Sequence, residues 1–254
     1  MKKELTTLFT GRHYTVLEEI DSTNSFLAGI LRNKILPEGA AIRTEYQKAG
    51  RGQAGVGWES ESGKNLLISL AFYPGFVSPK EVFLLNKTYA LAVYDFAENL
   101  LGSNVRIKWP NDVYWNDKKL GGILVENAIY QSALSYSILG VGLNVNQVAF
   151  SPALPNPVSF AMIKGIEYDL DELFNSLCGF IEARYLQLKR GDLFRIDEDY
   201  LSALYKMNEW IRFRSNSQEY AGCIRGVSEN GKLIIEKESG QVVDYDIKEV
   251  KYVL

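Results

Sequence analysis

The sequence predicts an α+β fold in two parts: a domain of strands and helices over residues 1–205, then a small β-barrel over residues 206–254. Two observations predict it. Up to about Leu188 the apolar residues switch between a period of two and a period near 3.6, so strand and helix patterns alternate. After Tyr205 only short alternating runs remain (WIRFRS, EYAGCIRGV, KLIIEKE, VVDYDI and VKYVL), too few residues for a large core of their own.

Tyr14 to Ile20 reads as the first strand. Asp21 or Ser22 then caps a helix with Phe26, Leu27, Ile30 and Leu31 on one face. Ala40 to Gln47 is a second strand, and Asn65 to Tyr73, with its run LLISLAFY, is a buried third. Ser78-Pro79-Lys80-Glu81 has the form of a capping box with proline at the first helical position. Its helix turns Val82, Leu85, Tyr89, Val93, Phe96 and Leu100 inward, and Gly102 stops it. Val105 to Trp109 and Lys119 to Ala128 read as strands around the turn Asn116-Asp117, and Tyr136 to Val145 as another. Asp169 begins a last long helix, with Leu173, Leu177, Cys178, Ile181, Tyr185 and Leu188 on its apolar side and an end at Gly191. In the tail, Asn230-Gly231 is a two-residue hairpin signal.

Composition narrows the function classes. With 46% hydrophobic and 23% charged residues over 254 positions, the chain is globular rather than disordered. A net charge of -3 argues against a generally basic, nucleic-acid-binding surface. Cys178 and Cys223 lack metal-ligand spacing and read as buried small hydrophobes. His13 is the single histidine, which excludes histidine-rich zinc sites and any Ser-His-Asp triad that does not use it. No apolar run reaches membrane-spanning length, and the opening MKKELTTLFT lacks the apolar core of a targeting segment. A cytoplasmic protein is the expectation.

Four segments could carry chemistry. The first is Gly50-Arg51-Gly52-Gln53-Ala54-Gly55-Val56-Gly57, where four glycines free backbone N–H groups to turn toward an anion and Arg51 adds charge. A mobile hairpin tip would have the same composition. The loop runs on toward a strand, not a helix, which removes a dinucleotide-binding reading of its G-x-G-x-x-G, and a Walker loop fails because Gly63-Lys64 is followed by Asn65. The second is Lys108-Trp109-Pro110-Asn111-Asp112 with Lys119-Leu120-Gly121-Gly122-Ile123-Leu124: either a lysine beside paired glycines for a carboxylate or phosphate, or plain turn chemistry. The third, Gly140-Val141-Gly142-Leu143-Asn144-Val145-Asn146, puts glycines inside an apolar strand, as a bulge or close ligand approach would need. The fourth, Asp21-Ser22-Thr23-Asn24, is explained by helix capping, and helix N-termini also receive anions.

Taken together, KWPND at Lys108 to Asp112, KLGGIL at Lys119 to Leu124 and the GRG loop resemble the biotin protein ligase family, in order and spacing, from about Leu17 to the C-terminus. The resemblance implies a mixed β-sheet with helices on one side, followed by an SH3-like barrel. It implies a two-step reaction: biotin and ATP give biotinyl-5′-AMP and pyrophosphate, and a lysine of a biotin carboxyl carrier protein or domain then takes the biotinyl group. Arg51, Lys119 and Asp112 become the catalytic candidates, with Lys119 bridging carboxylate and α-phosphate and Asp112 serving the acceptor amine. Ser22, Thr23, Asn24 and Gln47, with Gly50, Arg51, Lys119, Gly122 and Gly142, match the biotin side. Arg51, Gly52, Trp58, Lys108, Asn111, Lys119 and Asn144 match the ATP side, with Mg²⁺ accompanying the nucleotide and no protein metal ligands assigned.

Two departures qualify the resemblance. Gln53, Ala54 and Val56 stand where some members carry basic side chains, which predicts a leakier adenylate. About twenty residues precede Ser22, too few for the DNA-binding module of some members, so no DNA partner is expected. The resemblance allows a homodimer, offers no membrane partner, and points to an exposed strand edge beside the site for the carrier. Among rivals, a lipoate or octanoate ligase should show an arginine-rich RRxxGGG-type segment and a histidine-bearing strand. A non-catalytic biotin or nucleotide module would not need Arg51, Lys119 and Asp112 together.

Overall fold

The computed structural model describes residues 7–55 and 57–253, apart from the side chain of Ala54. Seven strands form one mixed sheet: β1 (Tyr14–Ile20), β2 (Ala41–Gln47), β5 (Leu66–Phe72), β6 (Val105–Lys108), β7 (Asp112–Trp115), β8 (Lys118–Tyr130) and β9 (Ala133–Leu143), in the order β1-β2-β5-β9-β8-β7-β6. β1 and β2 run parallel, and the other neighbours are antiparallel. The minute strands β3 (Gly50–Arg51) and β4 (Gly57–Trp58) pair as a separate ribbon around a single 3₁₀ turn, Gln53–Gly55.

Alternation along the strands sorts the two faces. Leu66, Ile68, Leu70 and Phe72 of β5, with Leu139, Val141 and Leu143 of β9, enter the main core. The helices α2 (Phe83–Leu101), α3 (Phe160–Lys164), α4 (Leu170–Lys189) and α5 (Leu193–Ala203) close over them. The residues between, Ala71 and Ile138, join a small second core with Leu27 of α1 (Thr23–Leu31) and Ile42. Helices therefore lie on both faces of the sheet, not on one. Ser69, Gly140 and Gly142 share the α1 face by the same alternation, and the two glycines become part of the floor of the site.

The expected helices form, with local corrections. All six apolar residues assigned to α4 are buried, and Asp169 caps it by accepting from the backbone N–H of Asp171 (2.7 Å) and Glu172 (3.0 Å). Ser22 caps α1, but Phe26 is exposed. Ser78 caps a 3₁₀ turn, Pro79–Glu81, and the α-helix begins only at Phe83. Val82 and Leu100 at the two ends are partly buried, while Leu85, Tyr89, Val93 and Phe96 are buried. The strand β7 and the helices α3 and α5 were not foreseen. The turn from β6 into β7 carries a cis Trp109–Pro110 peptide.

The tail forms five strands, β10 (Trp210–Ser215), β11 (Gln218–Val227), β12 (Leu233–Lys237), β13 (Val242–Tyr245) and β14 (Lys251–Val253), ordered β13-β12-β11-β10-β14. No pairing joins β13 to β14 among the described residues, so the barrel expected from the sequence is here an open antiparallel sheet. The Asn230-Gly231 hairpin is longer than a two-residue turn: the connection runs from Ser228 to Lys232. Gly231, at φ 84°, packs on Phe83, and its carbonyl accepts from Trp109 Nε1 at 2.9 Å. Phe213, Ile224, Leu233 and Ile235 of the tail belong to the same apolar cluster as the main sheet. Both cysteines are buried and free. No helix among the described residues is long and apolar enough to cross a membrane.

One buried carboxylate anchors the start of the described chain. Glu182 on α4 accepts from the backbone N–H groups of Leu8 (2.7 Å), Phe9 (2.9 Å) and Thr10 (3.0 Å). Burial alone would raise its pKa, but the backbone bonds from Thr10, Leu8 and Phe9 outweigh it, and the net shift is downward. A lowered folded pKa gives stability that is present above the unfolded value and lost as pH falls through the folded one. Glu182→Gln is therefore expected to cost about 1–3 kcal/mol near neutral pH. The cost should shrink in acid, as read by urea unfolding at the two pH values.

Candidate active site

A cavity of about 300 Å³ opens on the α1 face of the sheet. Its floor is Gly140 and Gly142 of β9 beside Gly122 of β8. A β-carbon on Gly142 would lie 2.7 Å from the Trp58 indole, which rests on this floor. A β-carbon on Gly122 would lie 3.2 Å from Asp112 Oδ1, 3.5 Å from Trp58 and 3.6 Å from Lys119 Cε. Gly122 thus marks the point where these three side chains converge.

A bulge makes that convergence. In β8, Lys119 pairs with Tyr114 and Gly121 with Val113, so Leu120 is one residue in excess. Strict alternation would put Lys119 and Gly122 on opposite faces, and the extra residue returns both to the cavity. Lys119 Nζ then meets Asp112 Oδ1 at 2.8 Å and sits 5.8 Å from the Trp58 ring centroid. Asn144 supports this strand from behind: its Nδ2 donates to the carbonyls of Val158 (3.1 Å) and Lys119 (3.4 Å).

The other end of the cavity is neutral and polar. Gln47 Oε1, at the end of β2, accepts from the Thr23 backbone N–H (2.8 Å) and from Thr23 Oγ1 (3.1 Å). Ser22, Thr23 and Asn24, the first turn of α1 and its cap, are all buried. Ser69 Oγ lies 2.8 Å from Thr23 Oγ1 and 2.5 Å from Asn24 Oδ1. Arg51 enters from the β3–β4 ribbon. Its Nη2 pairs with Glu126 Oε1 at 2.6 Å, and its Nη1 donates to Ser25 Oγ at 3.0 Å. The arrangement offers hydrogen-bonding groups around the start of α1, where Arg51 also lies, and a second cation, Lys119, beside Gly122. It suits an elongated ligand with a polar ring and an anionic tail.

The fold gathers most of the residues singled out from the sequence. Ser22, Thr23, Asn24, Gln47, Arg51 and Gly52 line the cavity, as do Trp58, Asn111, Asp112, Lys119, Gly122 and Gly142. Gly50, Lys108 and Asn144 do not line it. Gly50 packs against Trp58 and Gln47. Lys108 is turned toward the tail, its Nζ 4.7 Å and 4.8 Å from the ring centroids of Tyr114 and Tyr252. Burial holds its pKa below the ordinary lysine value; Asp112 pulls it up and Lys119 pushes it down. Asn111 Nδ2 donates to the Ile123 carbonyl, fixing the β6–β7 turn over the cavity. His13 is exposed at the start of β1, outside this cavity. Val56 and the side chain of Ala54, two of the three positions behind the expected leakiness, lie outside the described residues.

A family model described as the biotin/lipoate A/B protein ligase family matches residues 16–144, the stretch from β1 through the Gly140–Asn144 segment. The chain belongs to the biotin/lipoate A/B protein ligase family. Relatives include the bifunctional ligase/repressor BirA of Escherichia coli, 29% identical over 241 residues, covering 93% of this chain and 73% of that protein. Biotin--[acetyl-CoA-carboxylase] ligase of Mycobacterium tuberculosis is 27% identical over 236 residues, covering 91% of this chain and 86% of that protein. Among solved structures, the biotin protein ligase from Aquifex aeolicus in complex with biotin and ATP has a TM-score of 0.78 at 24% identity, over 95% of this chain and all of that one. That likeness shows a shared fold.

Three residues in or bonded to this family member's site were missed from the sequence: Ser69, Glu126 and Gly140. Ser69 had a signal, a hydroxyl inside the otherwise apolar run LLISLAFY, because a buried polar group needs a partner. Gly140 stood in a segment flagged for its glycines. Glu126 had no local signal, because its partners Asn24 and Arg51 are distant in the chain.

Proposed function

We propose that this chain is a biotin--[acetyl-CoA-carboxylase] ligase working in two steps. In the first, a carboxylate oxygen of biotin attacks the α-phosphorus of ATP, the bond from that phosphorus to the bridging oxygen breaks, and pyrophosphate leaves. In the second, the ε-amine of a lysine on a biotin carboxyl carrier protein or domain attacks the carbonyl of biotinyl-5′-AMP. AMP departs and the amine loses a proton. The observation that carries this reading is the joining of the Thr23–Gln47 pair and the Lys119–Asp112 pair in one cavity of about 300 Å³, in a chain of this family.

The roles follow from that geometry. Ser22, Thr23, Asn24 and Gln47 supply donors and acceptors for the ureido ring, which would lose its bonds to water on burial. The absence of side chains at Gly122 and Gly142 lets the Trp58 indole lie against the sheet, where it would flank the ligand on its nucleotide side. Lys119 and Arg51 offset the repulsion between carboxylate and phosphate. Asn111 and Gly52 border the nucleotide end. Gly50, Lys108 and Asn144 serve it through packing, charge and the backbone of Lys119.

The described residues hold no cluster of three or more His, Cys, Asp or Glu fit for a metal. Mg²⁺ entering with the nucleotide would supply positive charge to the leaving pyrophosphate. The carrier would approach the edge of β8 beyond Ile123, past the last pair with β7, where Ile129 and Tyr130 are exposed.

The test is ATP–pyrophosphate exchange with biotin, lipoate and octanoate offered separately, since the family description spans biotin and lipoate. Exchange with biotin alone is expected, and exchange with lipoate or octanoate instead would overturn the reading. Asp112 carries a narrower assignment, accepting or orienting the amine proton in the second step. Asp112→Asn should slow transfer from pre-formed biotinyl-5′-AMP by about 10²-fold. An unchanged transfer rate would remove Asp112 from that role.

A further inference from the structure

Arg51 is not a free cation in this structure. Its guanidinium takes both oxygens of Glu126, with Nη2 to Oε1 at 2.6 Å and Nη1 to Oε2 at 3.5 Å. A carboxylate so placed cancels the charge an incoming anion would seek. Glu126 Oε2 also accepts from Asn24 Nδ2 at 2.8 Å. Asn24 is next in the chain to Thr23, and Ser69 reaches both: its hydroxyl has one proton and two acceptors in range, Thr23 Oγ1 and Asn24 Oδ1. A chain of polar contacts therefore runs from Arg51 through Glu126, Asn24, Ser69 and Thr23 to Gln47.

We propose that Glu126 is a positioning residue that holds Arg51 at the mouth of the cavity and must yield it to the anionic end of the ligand. The pair is suited to such an exchange. Arg51 and Glu126 side chains are 47% and 33% exposed, and exposed ion pairs are weak enough for a phosphate or carboxylate to displace. The bond from buried Asn24, itself held by Ser69, keeps Glu126 in place when Arg51 leaves, and these contacts connect the mouth to the Thr23–Gln47 end. The catalytic part of this proposal rests on the cavity being the ligand site proposed above; the holding of Arg51 does not.

Glu126→Gln tests it in the full chain. The amide oxygen still accepts from Asn24, so only the charge facing Arg51 is lost, and an unchanged thermal midpoint checks that the fold is intact. In ligand-free protein, tryptic cleavage after Arg51 should rise about five-fold, the worth of one exposed ion pair. In biotin-dependent exchange, KM for ATP should fall about three-fold, with the effect on KM rather than kcat, and should vanish in an Arg51→Ala background. Equal cleavage rates in the two proteins would overturn the holding of Arg51, and a rise in KM would overturn the exchange of partners. If the wild-type chain gives no biotin-dependent exchange, the ligand reading fails, and the cleavage rates still decide whether Glu126 holds Arg51.

Discussion

Lys119→Ala is expected to lower biotin-dependent pyrophosphate exchange by about 10²–10³-fold, with little change in thermal stability. The first step must bring a carboxylate onto a phosphate, two anions that repel at contact. At roughly 4 Å the repulsion of two unit charges is about 4 kcal/mol at the effective dielectric of a protein surface. A fixed ammunition of charge is needed where the two meet, and the Lys119 ammonium stands beside Gly122, at the junction of the cavity's two ends. The bulge at Leu120 fixes its direction and Asp112 fixes its tip, so little reorganisation is left for the moment of reaction. Stability should hardly move, because the Lys119–Asp112 pair is about one-third exposed and such pairs contribute little. Lys119→Arg keeps the charge but brings a planar fork against Gly122 and Trp58, so it should recover only part of the rate. Exchange at saturating biotin together with a melting curve checks both halves. An alanine variant retaining more than a tenth of the exchange would end the assignment of Lys119.

How far the sequence alone reaches depends on how local the cause is. β5 was legible because its run is apolar throughout, and α4 because six apolar residues keep one stripe beneath an aspartate cap. Helix α5 was not, because Gly191-Asp192 reads as a terminus and only Ile196, Tyr200 and Ala203 of its eleven residues are buried. Strand β7 is four residues long and follows Pro110-Asn111, so turn chemistry hides it; pairing with β6 and β8 decides it. The Ser228–Lys232 connection departs from a two-residue turn where Gly231 is wedged against Phe83 and Trp109, far away in the chain.

The site divides the same way. Its motifs were legible because glycines, a turn and a lysine stand close together, as at Lys108–Leu124. Which of them reach the cavity was not, because each is placed by a strand register. Lys108 and Asp112 face each other across the β6–β7 turn, yet Lys108 goes to the rings of Tyr114 and of Tyr252 in the tail, and Asp112 to Lys119. Glu126 and Ser69 needed the assembled sheet, since Asn24 joins them from another element.

Gly140→Ala is expected to damage both fold and site, and Gly179→Ala, the same change, to be stabilising. At Gly140 the new β-carbon would overlap Asn24 Oδ1 and lie 2.9 Å from Asn24 Cγ. Asn24 has nowhere cheap to go: it is 3% exposed and bonded on one side to Ser69 and on the other to Glu126. Moving it breaks both bonds and leaves buried polar groups unpaired, at about 1–3 kcal/mol each. A loss of about 3 kcal/mol in unfolding free energy is therefore expected. Because Thr23 is the next residue and shares Ser69, the Thr23–Gln47 pair shifts as well, and KM for biotin should rise about 10²-fold. At Gly179, inside α4, nothing lies within 4 Å of an added β-carbon. There alanine only lowers the entropy of the unfolded chain and favours the helix, by up to about 1 kcal/mol. Urea unfolding of the two variants beside the wild type should thus give shifts of opposite sign. A stable Gly140→Ala protein with unaltered KM for biotin would mean that Asn24 is free to move and that the floor of the cavity is not fixed by this contact.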